Sequence, residues 1–399
     1  MKKVLIISPG YAPIVENRGG AIENLLKLYL DHNEKTRNYE ITVYEALGSS
    51  GDVSSKAKFK TTEIRNIDVS NHENELKHIV SRVANILFGT PCARFYIKEV
   101  VRDLKIRHEF DKYNLIIIEN CVNDLVYIKK FLKTTTPIVL HLHNDYLNKS
   151  RMDAKKVVRF LTEVWCVSNY IRDRVNAISP YDNKAITIYN AIDTSSFNIR
   201  VDQNKKNKLR KELGFGHNNC VFLYVGRIMK GKGVLTLVRA FRRLSIIKPD
   251  SKLLVVGGSK NRTRNDHYYN AVLRRIKNSK SIVYLGQVKN SELYKYYQIS
   301  DYQIIPSKCQ EAFGLVALEG KVSGLKIIST GNGGLREVLD KNDILIDKLS
   351  VNSLVKAMLT APKLPCDSEP LRCAFSEERY NADIDSRIGK LVAQRKEVE

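Results

Sequence analysis

The stretch CVFLYVGRIMKGKGVLTLVRAF, residues 220–241, decides the fold class of this chain. It begins with apolar and β-branched residues at 220–226, passes through a short glycine-rich loop, and continues in a helical pattern from residue 233. A strand that is apolar along its length and leads directly into a helix is typical of a parallel sheet with helices on both faces. The stretch therefore predicts an α/β protein.

The same alternation of strand and helix recurs along the chain, and a polar segment at 200–219 interrupts it. We predict two doubly wound, Rossmann-like domains that face each other across a cleft. The first spans 1–199, and a C-terminal helix at about 376–399 crosses back to it. The second spans 200–375. Ligands of such sheets bind outside the carboxyl ends of the strands. The predicted strands are 3–8, 39–44, 113–119, 137–143, 164–168, 185–190, 220–226, 252–258, 281–286, 302–307 and 326–330.

Composition sets limits on the class of protein. The 399 residues suffice for two cores, and the formal net charge of +23 suits nucleic acid, anionic lipid or an anionic small molecule. Seven cysteines without the spacing of a zinc or redox motif indicate reduced intracellular thiols. The apolar run at 4–7 is too short for a signal peptide, and no segment has the roughly 20 apolar residues of a spanning helix. We therefore expect a cytoplasmic protein, attached at most to the inner face of the plasma membrane.

The loop that follows residues 220–226 carries Arg227 and Lys232 between glycines. An arginine fork and a lysine point charge together suit a diphosphate. A solvated basic loop would contain the same residue types, so this loop alone does not decide its function.

The stretch EAFGLVALEG, residues 311–320, places Glu311 and Glu319 on either side of a predicted helix start. A helix N-terminus attracts anions, and carboxylates accept hydrogen bonds from hydroxyls. The helix start can thus hold a diphosphate while one acid holds sugar hydroxyls and the other holds ribose hydroxyls. In the alternative interpretation Glu311 caps the helix and Glu319 is solvated.

Three further loops follow predicted strands. Gly19 and Gly20 precede a helix, the segment 329–334 is rich in glycine, and His143 ends the strand at 137–143. Glycine allows a backbone to approach a ligand closely, but it also serves ordinary tight turns. A histidine after a strand is equally compatible with a structural hydrogen bond.

In this order the motifs resemble those of the retaining glycosyltransferases of family 4, which are group 1 glycosyltransferases with the GT-B fold. The resemblance covers almost the whole chain and is strongest in 220–340. Its most specific element is the pair Glu311 and Glu319 within PSKCQEAFGLVALEG. The supporting motifs are VSNYIRD at 167–173, YNAIDTSSF at 189–197, VGRIMKGKG at 225–233 and GNGGLREVL at 331–339.

The resemblance implies that 200–375 binds a nucleotide diphosphate sugar, UDP-linked as in most relatives, and that 1–199 binds a glycan or lipid-linked glycan acceptor. It assigns catalytic roles to Arg227 and Lys232 at the diphosphate, Glu311 at the donor sugar and His143 beside the transferred sugar. The donor-binding residues that it implies are Gly19, Gly20, Arg227, Lys232, Gly286, Val288, Glu311, Phe313, Gly314, Leu315 and Glu319.

The resemblance further implies a hexosyltransferase that retains the anomeric configuration and acts in bacterial cell-surface polysaccharide or lipopolysaccharide biosynthesis. No Asp-x-Asp motif lies in a suitable loop, so we expect no metal and no cofactor. Gly320 and Lys321 stand where the family commonly has small apolar residues. We expect Lys321 either to face solvent or to add positive charge near the nucleotide.

Residues Arg94, Lys98, Arg102 and Lys105 recur at helical spacing. Such a basic face can rest on anionic lipid, although a solvated helix face would look the same. Two other functions stay open at this point: a sugar-nucleotide epimerase of the same fold, and a basic, non-enzymatic nucleic-acid-binding protein. Aromatic residues are not interleaved with the basic ones, so we do not expect a nucleic-acid partner.

Overall fold

The structure is a computed structural model that describes residues 1–10, 13–14, 20–47, 59–69, 94–132, 135–198, 201–259, 266–277, 279–362 and 368–394. The chain forms two compact units. Unit 1 comprises Met1–Asn190 with Tyr380–Glu399, and unit 2 comprises Ala191–Arg379.

Unit 1 contains a seven-stranded sheet in the order β3-β2-β1-β4-β5-β6-β7, and every neighbouring pair is parallel. The central strands consist mainly of β-branched and leucine side chains that are buried on both faces, as their sequence predicts. The strands are β1 Lys2–Ile7, β2 Tyr39–Leu47, β3 Thr62–Asp68, β4 Leu115–Glu119, β5 Ile138–Leu142, β6 Glu163–Cys166 and β7 Ala185–Thr187.

Helices cover this sheet. The C-terminal helix buries Tyr380, Ile384 and Ile388 at four-residue spacing, which places them on one helical face. On the neighbouring face Asp385 accepts a hydrogen bond from the Tyr29 hydroxyl at 2.8 Å and pairs with His32 at 2.9 Å. The helices of unit 1 are α1 Ala21–Thr36, α2 Phe95–Ile106, α3 Leu125–Phe131, α4 Ala154–Phe160, α5 Asn169–Asn176 and, from Tyr380 onward, α14 Glu377–Gln394.

Unit 2 contains a six-stranded parallel sheet in the order β10-β9-β8-β11-β12-β13. Phe222 lies in its core, stacked on Tyr302 at 5.2 Å and edge-on to Phe241 at 5.9 Å between ring centroids. The strands are β8 Cys220–Val225, β9 Ser251–Val256, β10 Ile282–Gly286, β11 Tyr302–Ile305, β12 Lys326–Ser329 and β13 Ile344–Leu345; the helices are α6 Thr194–Phe197, α7 Gln203–Glu212, α8 Val234–Ile247, α9 His267–Ile276, α10 Leu293–Gln298, α11 Leu315–Val322, α12 Val351–Thr360 and α13 Glu369–Ala374.

The prediction of two doubly wound parallel sheets is confirmed, and so is the C-terminal helix on the N-terminal unit. Strands β3 and β13 were not predicted; β13 has only two residues, too few for a periodic signal. The polar segment 200–219 contains helix α7, which buries none of its residues. No helix within the described ranges is both long enough and apolar enough to cross a membrane.

The expectation that Lys321 faces solvent is wrong. Its side chain is fully buried, and its Nζ lies 2.5 Å from a carboxylate oxygen of Asp340 and 2.9 Å from one of Asp343, itself fully buried. Helix α11 turns this position toward the core because Gly320 beside it packs directly on Gln303, where a Cβ atom would come within 1.9 Å of Oε1. Lys321 thus joins α11 to the loop before β13, where two carboxylates match its charge.

Replacing Lys321 with methionine leaves the buried carboxylate of Asp343 without its cation. Breaking a buried ion pair in this way costs about 3–5 kcal/mol, so the denaturant midpoint should fall clearly. Lys326→Met is the matched control, because the buried Nζ of Lys326 makes no hydrogen bond to any described residue. Equal losses of stability in the two variants would contradict this account.

Candidate active site

The carboxyl ends of β8, β9 and β10 approach one another very closely. Gly257 has a φ of +129°, and a Cβ atom there would lie 2.0 Å from the carbonyl oxygen of Gly226. The Gly257 N–H donates to the carbonyl of Gly286 at 2.7 Å. The structure thus places Gly286, a predicted nucleotide contact, at the end of its strand beside these loops, and the partly buried Val288 follows two residues later.

The loop between β8 and α8 is fixed by its glycines. Gly233 has a φ of +70°, and a Cβ atom there would meet the carbonyl oxygen of Pro306 at 1.9 Å, so only glycine fits. The carbonyl of Gly231 accepts the N–H of Lys308 at 2.7 Å. The loop is therefore held against the segment after β11, while the side chain of Arg227 extends into solvent.

Lys232 and Glu311 form an ion pair in this place. Lys232 Nζ lies 2.6 Å from Oε1 and 2.7 Å from Oε2 of Glu311. Ser307 donates its hydroxyl to Oε1 of Glu311 at 2.5 Å. Two residues that are 79 positions apart in sequence and were predicted to share one ligand are thus in direct contact.

The glycine-rich loop after β12 also reaches Glu311. The N–H of Gly334 donates to the Glu311 carbonyl at 2.8 Å, and the Glu311 N–H donates to the carbonyl of Asn332 at 3.3 Å. A Cβ atom on Gly333 would lie 2.4 Å from the Glu311 carbonyl oxygen, so the close approach requires glycine. Three loops of unit 2 therefore converge on Glu311.

Helix α11 begins beside this pair, at Leu315. Its N-cap residue is Gly314, with a φ of +123° and no side chain to cap the helix. Phe313 is buried and packs edge-on against Phe375 at 5.4 Å. The first turn of the helix therefore presents backbone N–H groups without a side-chain cap, the arrangement that binds anions at helix N-termini.

Glu319 lies one turn further along α11. Its Oε2 accepts a hydrogen bond from the Tyr297 hydroxyl at 2.7 Å. Burial raises the pKa of Glu319 to about 7, and the Tyr297 hydrogen bond opposes this rise. Glu319 is therefore partly protonated at neutral pH, in contrast to the solvated side chain of the alternative interpretation.

In unit 1 the structure places Gly20 at the N-cap of α1, where a Cβ atom would come within 2.9 Å of Glu23 Oε2. Gly19 lies outside the described residues. His143 follows β5, and its Nε2 lies 2.9 Å from Oε2 of the buried Glu119. Of the residues predicted to bind the donor, the structure brings Lys232 into contact with Glu311 near the start of α11, while Gly20 and His143 belong to unit 1.

Sequence reasoning missed Glu119 and His141. Oε1 of Glu119 lies 3.3 Å from Nδ1 of His141, and the rings of His141 and His143 are 4.2 Å apart. The sequence did contain a signal for this group. Glu119 ends β4, His141 lies near the end of β5 and His143 follows it, and the carboxyl ends of neighbouring parallel strands lie at the same edge of a sheet. Strand register indeed pairs Glu119 with His141.

The prediction that Arg94 belongs to an exposed basic face needs correction. The guanidinium of Arg94 pairs with Asp124 at 2.7 Å and donates to the Pro9 carbonyl at 2.7 Å. Arg94 precedes α2 and fixes the start of that helix, so its charge is already matched. Arg102 and Lys105 are exposed on α2, and Lys98 is partly buried.

The raised pKa of Glu319 predicts a pH dependence of stability. An unfolded glutamate titrates near 4.5 and the folded one near 7, so the folded state binds more protons between these values. The free energy of unfolding should therefore fall as pH rises through this window. Glu319→Gln should flatten the curve of melting temperature against pH there, and Tyr297→Phe should extend the fall above pH 7. Parallel curves for wild type and Glu319→Gln would refute the assignment.

Part of the chain matches a known protein family. Residues 205–381 match the family model described as glycosyl transferases group 1. A lipopolysaccharide 1,2-N-acetylglucosaminetransferase of Salmonella typhimurium is 32% identical over 142 residues, which cover 35% of this chain and 37% of that protein. An uncharacterized glycosyltransferase of Methanocaldococcus jannaschii is 29% identical over 62% of this chain and 65% of that protein. The chain thus matches less than two thirds of the length of either curated relative.

Solved structures resemble the chain over nearly its whole length. Anabaena HepE, in complex with UDP and glucose, has a TM-score of 0.69 at 18% identity and covers 98% of this chain and 99% of that one. Sucrose-phosphate synthase of Thermosynechococcus elongatus has a TM-score of 0.75 at 16% identity, with 99% and 100% covered. At these identities the likeness establishes the fold, which is the predicted GT-B fold. The family match at 205–381 thus agrees with the resemblance that the motifs of the second half carry.

Proposed function

We propose that this protein is a retaining, metal-independent hexosyltransferase that moves a sugar from a UDP-linked donor to a glycan or lipid-linked glycan acceptor in bacterial cell-surface polysaccharide or lipopolysaccharide biosynthesis. The observation that carries the proposal is the contact of Lys232 with Glu311 beside the uncapped start of α11. The Salmonella relative, named as a lipopolysaccharide N-acetylglucosaminetransferase, supports the acceptor class. Anabaena HepE, whose structure contains UDP and glucose, supports the donor class.

The ion pair leaves neither of its two charges uncompensated. The ammonium of Lys232 and the carboxylate of Glu311 neutralise each other at 2.6 Å. A diphosphate is a stronger partner for the ammonium, because it carries more negative charge and several acceptor oxygens. Its arrival would release the carboxylate of Glu311, which then accepts hydrogen bonds from the donor sugar hydroxyls.

The barrier lies in breaking the bond between the anomeric carbon and the diphosphate oxygen. Negative charge grows on the leaving phosphate while the sugar becomes oxocarbenium-like. Lys232, Arg227 and the N–H groups of residues 313–315 would face that charge once the donor is bound, and positive groups held at a leaving phosphate are usually the largest catalytic contribution. These groups would do what a divalent cation does in other transferases, which is why we propose that no metal is needed.

Retention requires the acceptor to attack from the face that the diphosphate leaves. The acceptor hydroxyl forms the new bond to the anomeric carbon, and its proton passes to an oxygen of the departing phosphate. UDP then leaves with that proton. Glu311 positions the sugar in this scheme and does not form a covalent bond.

The donor-site proposal is tested with Lys232→Ala and Arg227→Ala, with Lys230→Ala as the matched control from the same loop. Lys230 is exposed and lies outside the ion pair. Loss of one preorganised donor typically lowers the rate about 10²–10³-fold, so we expect that fall in donor turnover for the first two variants. Calorimetry with UDP, GDP, ADP and dTDP measures the choice of base, for which we expect UDP.

Near-normal turnover in both Lys232→Ala and Arg227→Ala would refute the diphosphate assignment. The product also discriminates between reactions: an epimerised sugar nucleotide without transfer would identify the alternative enzyme of the same fold. Wild-type protein that binds none of the four nucleotides would refute the proposed function as a whole.

We further propose that α2 rests on anionic lipid at the inner face of the plasma membrane. Arg102 and Lys105 are exposed on this helix beside Ile106, which is 67% exposed. Each basic residue near an anionic surface contributes about 1 kcal/mol to binding. The triple variant Lys98→Ala, Arg102→Ala, Lys105→Ala should therefore sediment less with anionic vesicles than wild type. Lys35→Ala, an exposed lysine elsewhere in unit 1, is the control. Equal sedimentation with neutral vesicles would rule out this contact.

A further inference from the structure

Three side chains at adjacent strand ends of unit 1 form one buried group. Glu119 ends β4, and His141 and His143 lie at the end of the neighbouring strand β5. The exposed fractions of the three side chains are 6%, 2% and 5%, respectively. Each oxygen of the Glu119 carboxylate faces one ring nitrogen, Oε1 with His141 Nδ1 at 3.3 Å and Oε2 with His143 Nε2 at 2.9 Å.

The carboxylate in this group is ionised. Burial opposes the charge on Glu119, but His141 and His143 outweigh burial and hold its pKa at about 2. Burial also lowers the pKa of His143 to about 4, and His141 adds to this effect while Glu119 opposes it. Other titratable groups that interact with the carboxylate are Glu23, Cys121 and Tyr380, and burial together with Glu119 raises the pKa of each. At neutral pH His143 is therefore uncharged.

An uncharged imidazole carries one N–H, and its position follows from its hydrogen-bond partner. An ionised carboxylate can only accept, so the His143 proton must be on Nε2, which faces Glu119. The other nitrogen, Nδ1, then carries a lone pair and can only accept. Nδ1 has no hydrogen-bond partner among the residues that the structure describes. A ligand atom that bonds to it must therefore be a donor, such as a hydroxyl, and cannot be a phosphate oxygen.

We propose that Glu119 is a positioning residue, which holds His143 as the Nε2–H tautomer so that Nδ1 accepts a hydrogen bond from one hydroxyl of the substrate sugar. His141 supports it by donating Nδ1–H to the second carboxylate oxygen. The inference rests on the proposed function, because it assumes that a sugar reaches His143. It assigns His143 a task that differs from charge stabilisation at the diphosphate, which falls to Lys232 and Arg227.

The same three side chains have a second chemical capability. One carboxylate and two imidazoles are a common ligand set for zinc, and their ligand atoms lie within 4.8 Å of one another. In the hydrogen-bonded arrangement each oxygen of the Glu119 carboxylate already has one ring nitrogen as its partner. We therefore favour the positioning role and include metal binding in the test as an outcome against it.

The wild-type protein gives the first test, which requires no variant to fold. Long-range ¹H–¹⁵N NMR on histidine-labelled protein, with His143 assigned by comparison with His143→Asn, reports which ring nitrogen carries the proton. We expect the Nε2–H tautomer. A proton on Nδ1 would overturn the proposal, and so would a cobalt(II) absorption band that appears on adding Co²⁺ to wild type and is absent from Glu119→Gln.

Glu119→Gln gives the second test, because its amide can offer an N–H where the carboxylate could only accept. We expect the tautomer signal of His143 to change and kcat/KM for sugar transfer to fall about 100-fold, as for a misplaced reacting group. Binding of UDP alone, which engages unit 2, should be unchanged. A series of donor sugars that each lack one hydroxyl identifies the contact. The donor that lacks the hydroxyl bound by His143 should be a poor substrate for wild type, and Glu119→Gln should lower its kcat/KM little further.

The outcomes separate this inference from the proposed function. If wild type binds UDP and transfers sugar but Glu119→Gln has normal kcat/KM, only the positioning role is wrong. If wild type binds no nucleotide, the proposed function is wrong. Glu119→Asp keeps the acceptor character with a shorter side chain and should retain the wild-type tautomer; loss of that tautomer together with normal activity would also overturn the proposal.

Discussion

The contact of Lys232 with Glu311 is the interaction on which the geometry of the unit 2 site depends. It joins the loop after β8 to the segment between β11 and α11, at 2.6 and 2.7 Å. The glycine-rich loop after β12 completes the arrangement through backbone bonds to Glu311. Lys232 and Glu311 thus neutralise each other where the three segments meet, and we propose that a diphosphate separates them.

The two units place charge differently at their strand ends. In unit 2 the exposed Arg227 and the uncapped start of α11 offer positive potential beside a neutralised pair, which suits an anion. In unit 1 an ionised carboxylate, Glu119, is buried behind neutral His143. A site of this kind repels phosphate and favours hydroxyl groups.

Sequence patterns predicted the fold well because both sheets are parallel and buried. Continuous apolar strands such as β4 have few alternative structures, and the loops that follow them were therefore placed correctly at the strand ends. Contacts made by individual side chains were less accessible. The helical spacing of Arg94 suggested a solvated face, whereas its partner Asp124 lies 30 residues away in sequence. The sequence predicted Lys321 to face solvent or a nucleotide, because no local pattern indicates its ion pairs with Asp340 and Asp343. Glu119 needed the strand order, since its relation to His141 and His143 exists only when β4 and β5 are neighbours.

The most direct test of the central claim is an experimental structure with UDP bound. We predict that Lys232 Nζ will have left Glu311 and will lie within about 3 Å of a diphosphate oxygen, with the start of α11 contacting the same group. An unchanged Lys232–Glu311 pair with the diphosphate bound elsewhere would contradict the account.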